Sequence, residues 1–141
     1  MRWKIVLHIS RVVALAAIGA GIILAQGCGK KYPYDEVLKR NSGEMNKKCP
    51  ITIDEGTRLD STSAGPGRRF TYCYTLTRQV ADSIDVKSLN ANLRPMLIGN
   101  LKTNKSLELL RKNKTNMVYR FFDRKGRFVL SIPIMPKDYG R

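Results

Sequence analysis

Histidine is almost missing from this chain, with His8 the only one in 141 residues. Acids are scarce as well, 11 Asp and Glu against 26 Lys and Arg, which gives a formal charge of +15. Cysteine is limited to Cys28, Cys49 and Cys73, and long apolar runs to a single stretch near the N-terminus. The uncharged part of that stretch, Val12 to Leu24, covers roughly 20 Å at helical rise, against the ~30 Å of a bilayer core. A membrane-spanning helix is therefore disfavoured. Counting from Ile5 to Ala25 lengthens it but encloses His8 and Arg11, and an ionised side chain near a helix centre costs about 2.5–3.5 kcal/mol. Arg11 can snorkel toward the interface, so a single-pass anchor stays open as an alternative.

The arrangement of the run matches an export signal: Arg2, Lys4 and Arg11 with no acid, then the apolar stretch, then small and polar residues before Cys28. Removing residues 1–27 leaves 23 of the 26 Lys and Arg against all 11 acids, a formal charge of about +12. It also removes His8, and with it the commonest general base and the commonest metal ligand. Zinc sites and Ser-His-Asp or Cys-His catalysis are thereby disfavoured, and no cofactor or metal is expected.

The residues Leu24-Ala25-Gln26-Gly27-Cys28 resemble a bacterial lipobox, in which small residues precede a Cys that is lipidated and becomes N-terminal after cleavage. The usual motif has Leu three places before the Cys; here Ala25 holds that place and Leu24 the one before. The resemblance implies that Cys28 carries a diacylglyceryl group and an amide-linked acyl chain. At ~0.8 kcal/mol per buried methylene, these anchor a protein stably. Gly29 after the Cys implies the outer membrane, facing the periplasm, rather than inner-membrane retention. Ordinary secretion without lipid is the remaining alternative.

Residues 28–48 are polar and charged and predict a flexible tether behind the lipidated Cys, with one helical turn near Asp35 to Lys39. Lys30 and Lys31 would then sit at headgroup level, where each adds about 1 kcal/mol on an anionic surface; a merely solvated linker explains them equally well. The folded domain is expected over 49–141. Phe70, Tyr72, Tyr74 and Leu76 alternate with Thr71, Cys73 and Thr75, the pattern of a half-buried strand, with Thr57 to Thr62 as partner and Ser63 to Gly67 as turn. Asp85 is a candidate N-cap for a helix through Val86, Leu89, Leu93, Leu97 and Leu101, broken at Pro95. A short helical piece follows at Ser106 to Lys112. Met117 to Phe122 and Arg127 to Ile134 predict a hairpin closed by Gly126, with Phe121 facing Phe128, Tyr119 facing Leu130 and Met117 facing Ile132. The order β-β-α-β-β predicts an α+β fold, a small four-stranded mainly antiparallel sheet with helix packed on one face.

An oxidising compartment would pair Cys49 with Cys73, closing a loop of about 25 residues at about 3 kcal/mol by the chain-entropy model. Two free buried thiols are the alternative. The stretch Ile53 to Ser61, then Ala64-Gly65-Pro66-Gly67, Phe70-Thr71-Tyr72, Ile84-Asp85, Arg94-Pro95, the hairpin and Pro136 resemble a family of small secreted bacterial proteins of unknown function. The likeness covers about residues 50–138. It implies an envelope address and this fold, and no activity. Members of that family carry a Cys in the helical region and another at the C-terminus, where this chain has Lys102 and Asp138-Tyr139-Gly140.

Arg68, Arg69, Lys112, Lys114, Arg124, Lys125 and Arg127 form the candidate surface for an anionic partner. The Phe70, Tyr72 and Tyr74 strand beside basic loops has the elements of a base-stacking platform, but it fits better as core under a helix, and nucleic acid is a disfavoured partner. For catalysis the only carboxylates worth weighing are Asp54, Glu55, Asp60 and Asp85, and nothing in their spacing makes two of them converge as a glycosidase pair must. Cys73 has no imidazole to activate it. The expectation is a non-enzymatic, lipid-anchored interaction or assembly module with an envelope protein as partner. The alternative is a binder of anionic polymer, lipopolysaccharide or nucleic acid. Replacing Cys28 with Ala should leave an uncleaved precursor that fails to fractionate as the wild type does; normal processing and membrane fractionation of Cys28→Ala would contradict the lipobox.

Overall fold

The computed structural model describes residues 33–140, so the segment carrying the signal and Cys28 lies outside the described residues. Its helices are α1 (Tyr34–Asn46), α2 (Val86–Thr103), α3 (Glu108–Lys112) and α4 (Pro136–Tyr139). Its strands are β1 (Ile51–Asp54), β2 (Thr57–Gly65), β3 (Arg69–Leu76), β4 (Asn116–Asp123) and β5 (Phe128–Ile134). The strands lie in the order β1-β2-β3-β4-β5, and each neighbouring pair is antiparallel except β3 and β4, which run parallel. The α+β class and the mostly antiparallel sheet agree with expectation, but the sheet has five strands, not four. The extra one is β1, turned back on β2 where the Asp54 carboxylate accepts the Gly56 N–H at 2.7 Å, an Asx turn written in Asp54-Glu55-Gly56.

Strand alternation explains the core. Phe70, Tyr72, Tyr74 and Leu76 of β3, Met117, Tyr119 and Phe121 of β4, and Leu130, Ile132 and Ile134 of β5 share one face. They form one cluster with Leu38 and Met45 of α1 and Leu93, Leu97 and Leu101 of α2. The parallel register sets Tyr72 beside Tyr119 and Tyr74 beside Phe121, with ring centroids 5.5 and 5.4 Å apart and nearly parallel planes. These aromatics are core, as the alternation predicts, and not a stacking platform.

α1 replaces most of the expected tether. Residues 34–46 hold too few large apolar groups to show a helical face, yet Leu38, Ser42 and Met45 are all buried, at spacings of four and three. Asp35 and Glu36 favour the helix N-terminus electrostatically. Its grip on the sheet is polar: the Asn46 amide donates to the Thr62 carbonyl at 2.9 Å and accepts the Thr62 N–H at 2.7 Å. β1 pairs with β2 only over residues 57–59, so the Asn46 amide stands in for a strand partner beyond its end. The Thr62 hydroxyl adds bonds to Ser42.

Two further expectations are corrected. Pro95 does not break the helix, because Pro95 and Ala91, whose carbonyl loses its donor, are on the exposed side, while Leu93, Leu97 and Leu101 keep one buried stripe across the proline. The β4–β5 hairpin is shifted by two residues: Phe121 faces Leu130, Tyr119 faces Ile132 and Met117 faces Ile134. Since a shift of two preserves the face, the apolar side survives. The register change between Phe121 and Phe122 sends Phe128 to the other face, where it pairs with Phe122 and is 52% exposed. Asp85 caps α2 as predicted, accepting the Ser88 N–H at 3.1 Å, and Gly126 closes the turn with φ +77°.

Asn46→Ala should cost roughly 1–3 kcal/mol, since it strands both backbone groups of the buried Thr62. Urea unfolding reads this directly, and an unchanged midpoint would show that the amide does not hold α1 to the sheet.

Candidate functional site

The seven predicted cations do not form one patch. Arg68 and Arg69 lie at the β2–β3 turn and Lys112 and Lys114 at the α3–β4 corner, and these two segments meet: the Asn116 N–H donates to the Arg68 carbonyl at 2.8 Å and the Arg68 guanidinium to the Asn113 carbonyl at 3.2 Å. Arg124, Lys125 and Arg127 lie in or beside the β4–β5 turn, at the other end of β4. Eight strand residues put roughly 23 Å between the two groups.

The first group sits where the described chain begins, here called the entry end. α1 ties it together. The Asp35 carboxylate accepts the N–H of Gly67 at 3.2 Å and of Arg68 at 2.8 Å, bracing a turn with φ +74° and +58° at those residues. The Tyr34 hydroxyl lies 2.8 Å from Thr115 Oγ1, and the Tyr139 hydroxyl donates to the Thr115 carbonyl at 2.6 Å. Thr115, fully buried, thus receives the first turn of α1 and the last helix, α4. Burial pushes the Tyr139 hydroxyl up to about 12, so it remains a donor at any physiological pH. Lys102, Thr103, Arg111, Lys112, Tyr139 and Gly140 line an open pocket of about 700 Å³ at this end. Arg111 is partly committed, donating to the Leu101 and Asn104 carbonyls at the end of α2. The sequence reading missed Tyr34, Asp35 and Lys102 here; Pro33 followed by Asp35-Glu36 is the helix-start signal from which the first two could have been read.

The hairpin end holds acids among its cations. Asp123, 0% exposed, accepts the N–H groups of Lys125 and Arg127 on one oxygen and the Ala81 N–H and Arg127 guanidinium on the other. Arg127 also meets Asp82 at 3.1 Å, and Arg78 meets Glu55 at 3.0 Å. Arg127 is therefore spent on structure, and Arg124 and Lys125 are the exposed cations beside it.

Each carboxylate weighed for catalysis has a local role. Asp54 makes the β1–β2 turn, Glu55 pairs with Arg78, Asp60 accepts from Arg58 and from the Thr75 hydroxyl, and Asp85 caps α2. No group of three or more His, Cys, Asp and Glu is placed to hold a metal among the described residues. Cys49 and Cys73 are half-buried and are not bonded to each other in this structure. Ser61 of β2 faces Cys73, while Cys49 precedes β1. Burial, and then the nearby Asp60 carboxylate, push the Cys49 thiol up, which makes it a poor nucleophile.

The chain belongs to the DUF8479 family, a domain of unknown function whose model matches residues 33–130. The match begins at the residue before α1, in keeping with a helix that is part of the fold. No curated protein matches this DUF8479 sequence. Among solved structures it is similar to a protein of Pseudomonas aeruginosa described as secreted, with TM-score 0.57 and 14% identity over 78% of this chain and 99% of that one. It is also similar to the Vibrio vulnificus type 2 secretion system pilotin EpsS, with TM-score 0.59 and 6% identity over 76% of this chain and 92% of that one. The Vibrio cholerae type II secretion system pilotin AspS gives TM-score 0.55 and 7% identity over 74% and 90%. At these identities the likeness establishes a shared fold.

Burial alone would raise the Asp123 carboxyl, but the Ala81, Arg127 and Lys125 N–H donors and the Arg127 guanidinium outweigh it and hold the group well below the usual carboxylate range. A carboxyl depressed in the folded state stabilises fully above its unfolded value of about 4 and loses that contribution as pH falls through the acid range. Asp123→Asn should therefore lower Tm by roughly 5 °C or more near neutrality and flatten the dependence of stability on pH below about 4. A variant that melts like wild type at pH 7 and keeps the same acid dependence would contradict the role given to Asp123.

Proposed function

We propose that this chain is a lipid-anchored protein of the bacterial cell envelope, tethered to the periplasmic face of the outer membrane through Cys28, and that it works as a non-catalytic interaction or assembly module. The observation that carries the reading is the fold held in common with two type II secretion system pilotins over about three quarters of the chain. The similar fold in a protein described as secreted points the same way, as does the export signal in the sequence. No helix among the described residues is long and apolar enough to cross a membrane.

A protein partner has a surface to meet. All the core-forming helix residues lie on one side of the sheet. On the other, Thr71, Cys73, Val118, Arg120, Phe122, Ser131 and Pro133 are exposed or half-buried. There the Arg120 guanidinium lies over the Phe122 and Phe128 rings, 5.2 and 5.6 Å from their centroids. Arginine and aromatic side chains are the types that dominate binding energy at interfaces.

The second reading, an anionic-polymer binder, draws on the exposed cations of the entry end. It is weakened by their separation of roughly 23 Å from the hairpin-end group. Photocrosslinking from position 128 of the full-length protein in the native envelope separates the two. The module reading expects one stoichiometric protein adduct that survives moderate salt. The polymer reading expects no such adduct and a retention on polyanion that collapses steeply with salt.

A further inference from the structure

From the entry end we infer a second surface: that Arg69, Lys102 and Lys114 rest on anionic phospholipid headgroups and hold the domain in one orientation on the membrane. The inference relies on the proposed anchor at Cys28 and adds the side on which the domain lies.

Two observations carry it. The first is chain length. The described fold begins at Pro33, five residues after Cys28, and five fully extended residues reach at most about 18 Å. Tyr34 and Asp35 are bonded directly to Thr115 and to the β2–β3 turn, so the anchor point is fixed to this end of the sheet and to no other. The second is charge. Arg69, Lys102 and Lys114 are exposed and make no ion pair among the described residues. Of the acids nearby, Glu36 is paired with Lys39, Glu108 with Lys112 and Asp138 with Arg94, while Asp35 keeps its charge but is turned onto two backbone N–H groups. Lys112, in the pocket it shares with Lys102 and Tyr139, is paired with Glu108 and adds no net charge. The hairpin-end cations stand roughly 23 Å further out, beyond two Debye lengths of about 8 Å at physiological salt, and contribute little. An anionic surface fits this end better than a protein partner, because the short chain presents the cations to the membrane before anything else can reach them.

The test uses full-length acylated protein reconstituted in vesicles of phosphatidylcholine alone or with added phosphatidylglycerol, read by amide hydrogen exchange. Mass spectrometry of the N-terminal peptide first confirms acylation, so a failed anchor is recognised separately from a failed orientation. The expected result is that phosphatidylglycerol slows exchange at residues 67–69 and 112–115 but not at 124–127. The effect should be lost in high salt and weakened at least about fivefold for each cation reversed. Arg69→Glu with Lys102→Glu is the test variant, and Arg124→Glu with Lys125→Glu is the control that should leave the effect intact; both are checked for unchanged melting. Equal exchange in the two lipids, protection at 124–127 instead, or equal loss in test and control variants would overturn the inference.

Discussion

β3 and β4 run the same way through the middle of the sheet, and a parallel pair cannot be closed by a turn. The chain leaves β3 at Leu76 and must travel back the length of the sheet before β4 begins at Asn116. α2 makes that journey: its 18 residues span about 27 Å, enough to match the strands. Because the return has to cross a face, that face becomes the buried one, and the stripe of Leu93, Leu97 and Leu101 is what it offers to the aromatic ladder beneath. The same requirement places α3 and its corner at the entry end, against the β2–β3 turn. The site therefore follows from the connection. Arg68, Arg69, Lys112 and Lys114 are neighbours because the crossover ends where the preceding hairpin turns.

Much of this was legible in the sequence. Strict alternation from Phe70 to Leu76, the Asp85 cap and the Gly126 turn all belong to patterns that depend on neighbours in the chain, and each occurs in the structure. Less legible were features that depend on distant partners. α1 shows only two large apolar residues on its inner face and relies on Asn46, Ser42 and Asp35 bonding to segments 16 to 33 residues away, so its helix resembled a solvated tether. The parallel pairing left no local mark. Hairpin register differs for a definite reason: Asp123 gathers the N–H groups of Lys125 and Arg127 in a turn one residue wider, and the irregularity between Phe121 and Phe122 adds a second place for the pairs from Phe121 to Met117.

For the candidate site, proximity in sequence was a partial guide. The seven cations read as one cluster are two, and they differ in kind. At the hairpin end, Arg127 is bound into the Asp123 hub. At the entry end the acids are tied to backbone or to neighbouring cations, and part of the positive charge is left over. Lys102, expected only as the place where a related family carries a cysteine, joins that surplus because α2 ends there. Thr115, where Tyr34 and Tyr139 converge, is the buried point that couples both ends of the described chain to this charge.

The functional account requires that the chain leave the cytoplasm and be held by lipid close to the first turn of α1. The most direct measurement is the mass of the N-terminal peptide of the native protein extracted from membranes. A lipid anchor at Cys28 gives a peptide that starts at Cys28 and is heavier by its acyl groups. An intact peptide starting at Met1, or a Cys28 peptide without lipid, would contradict it.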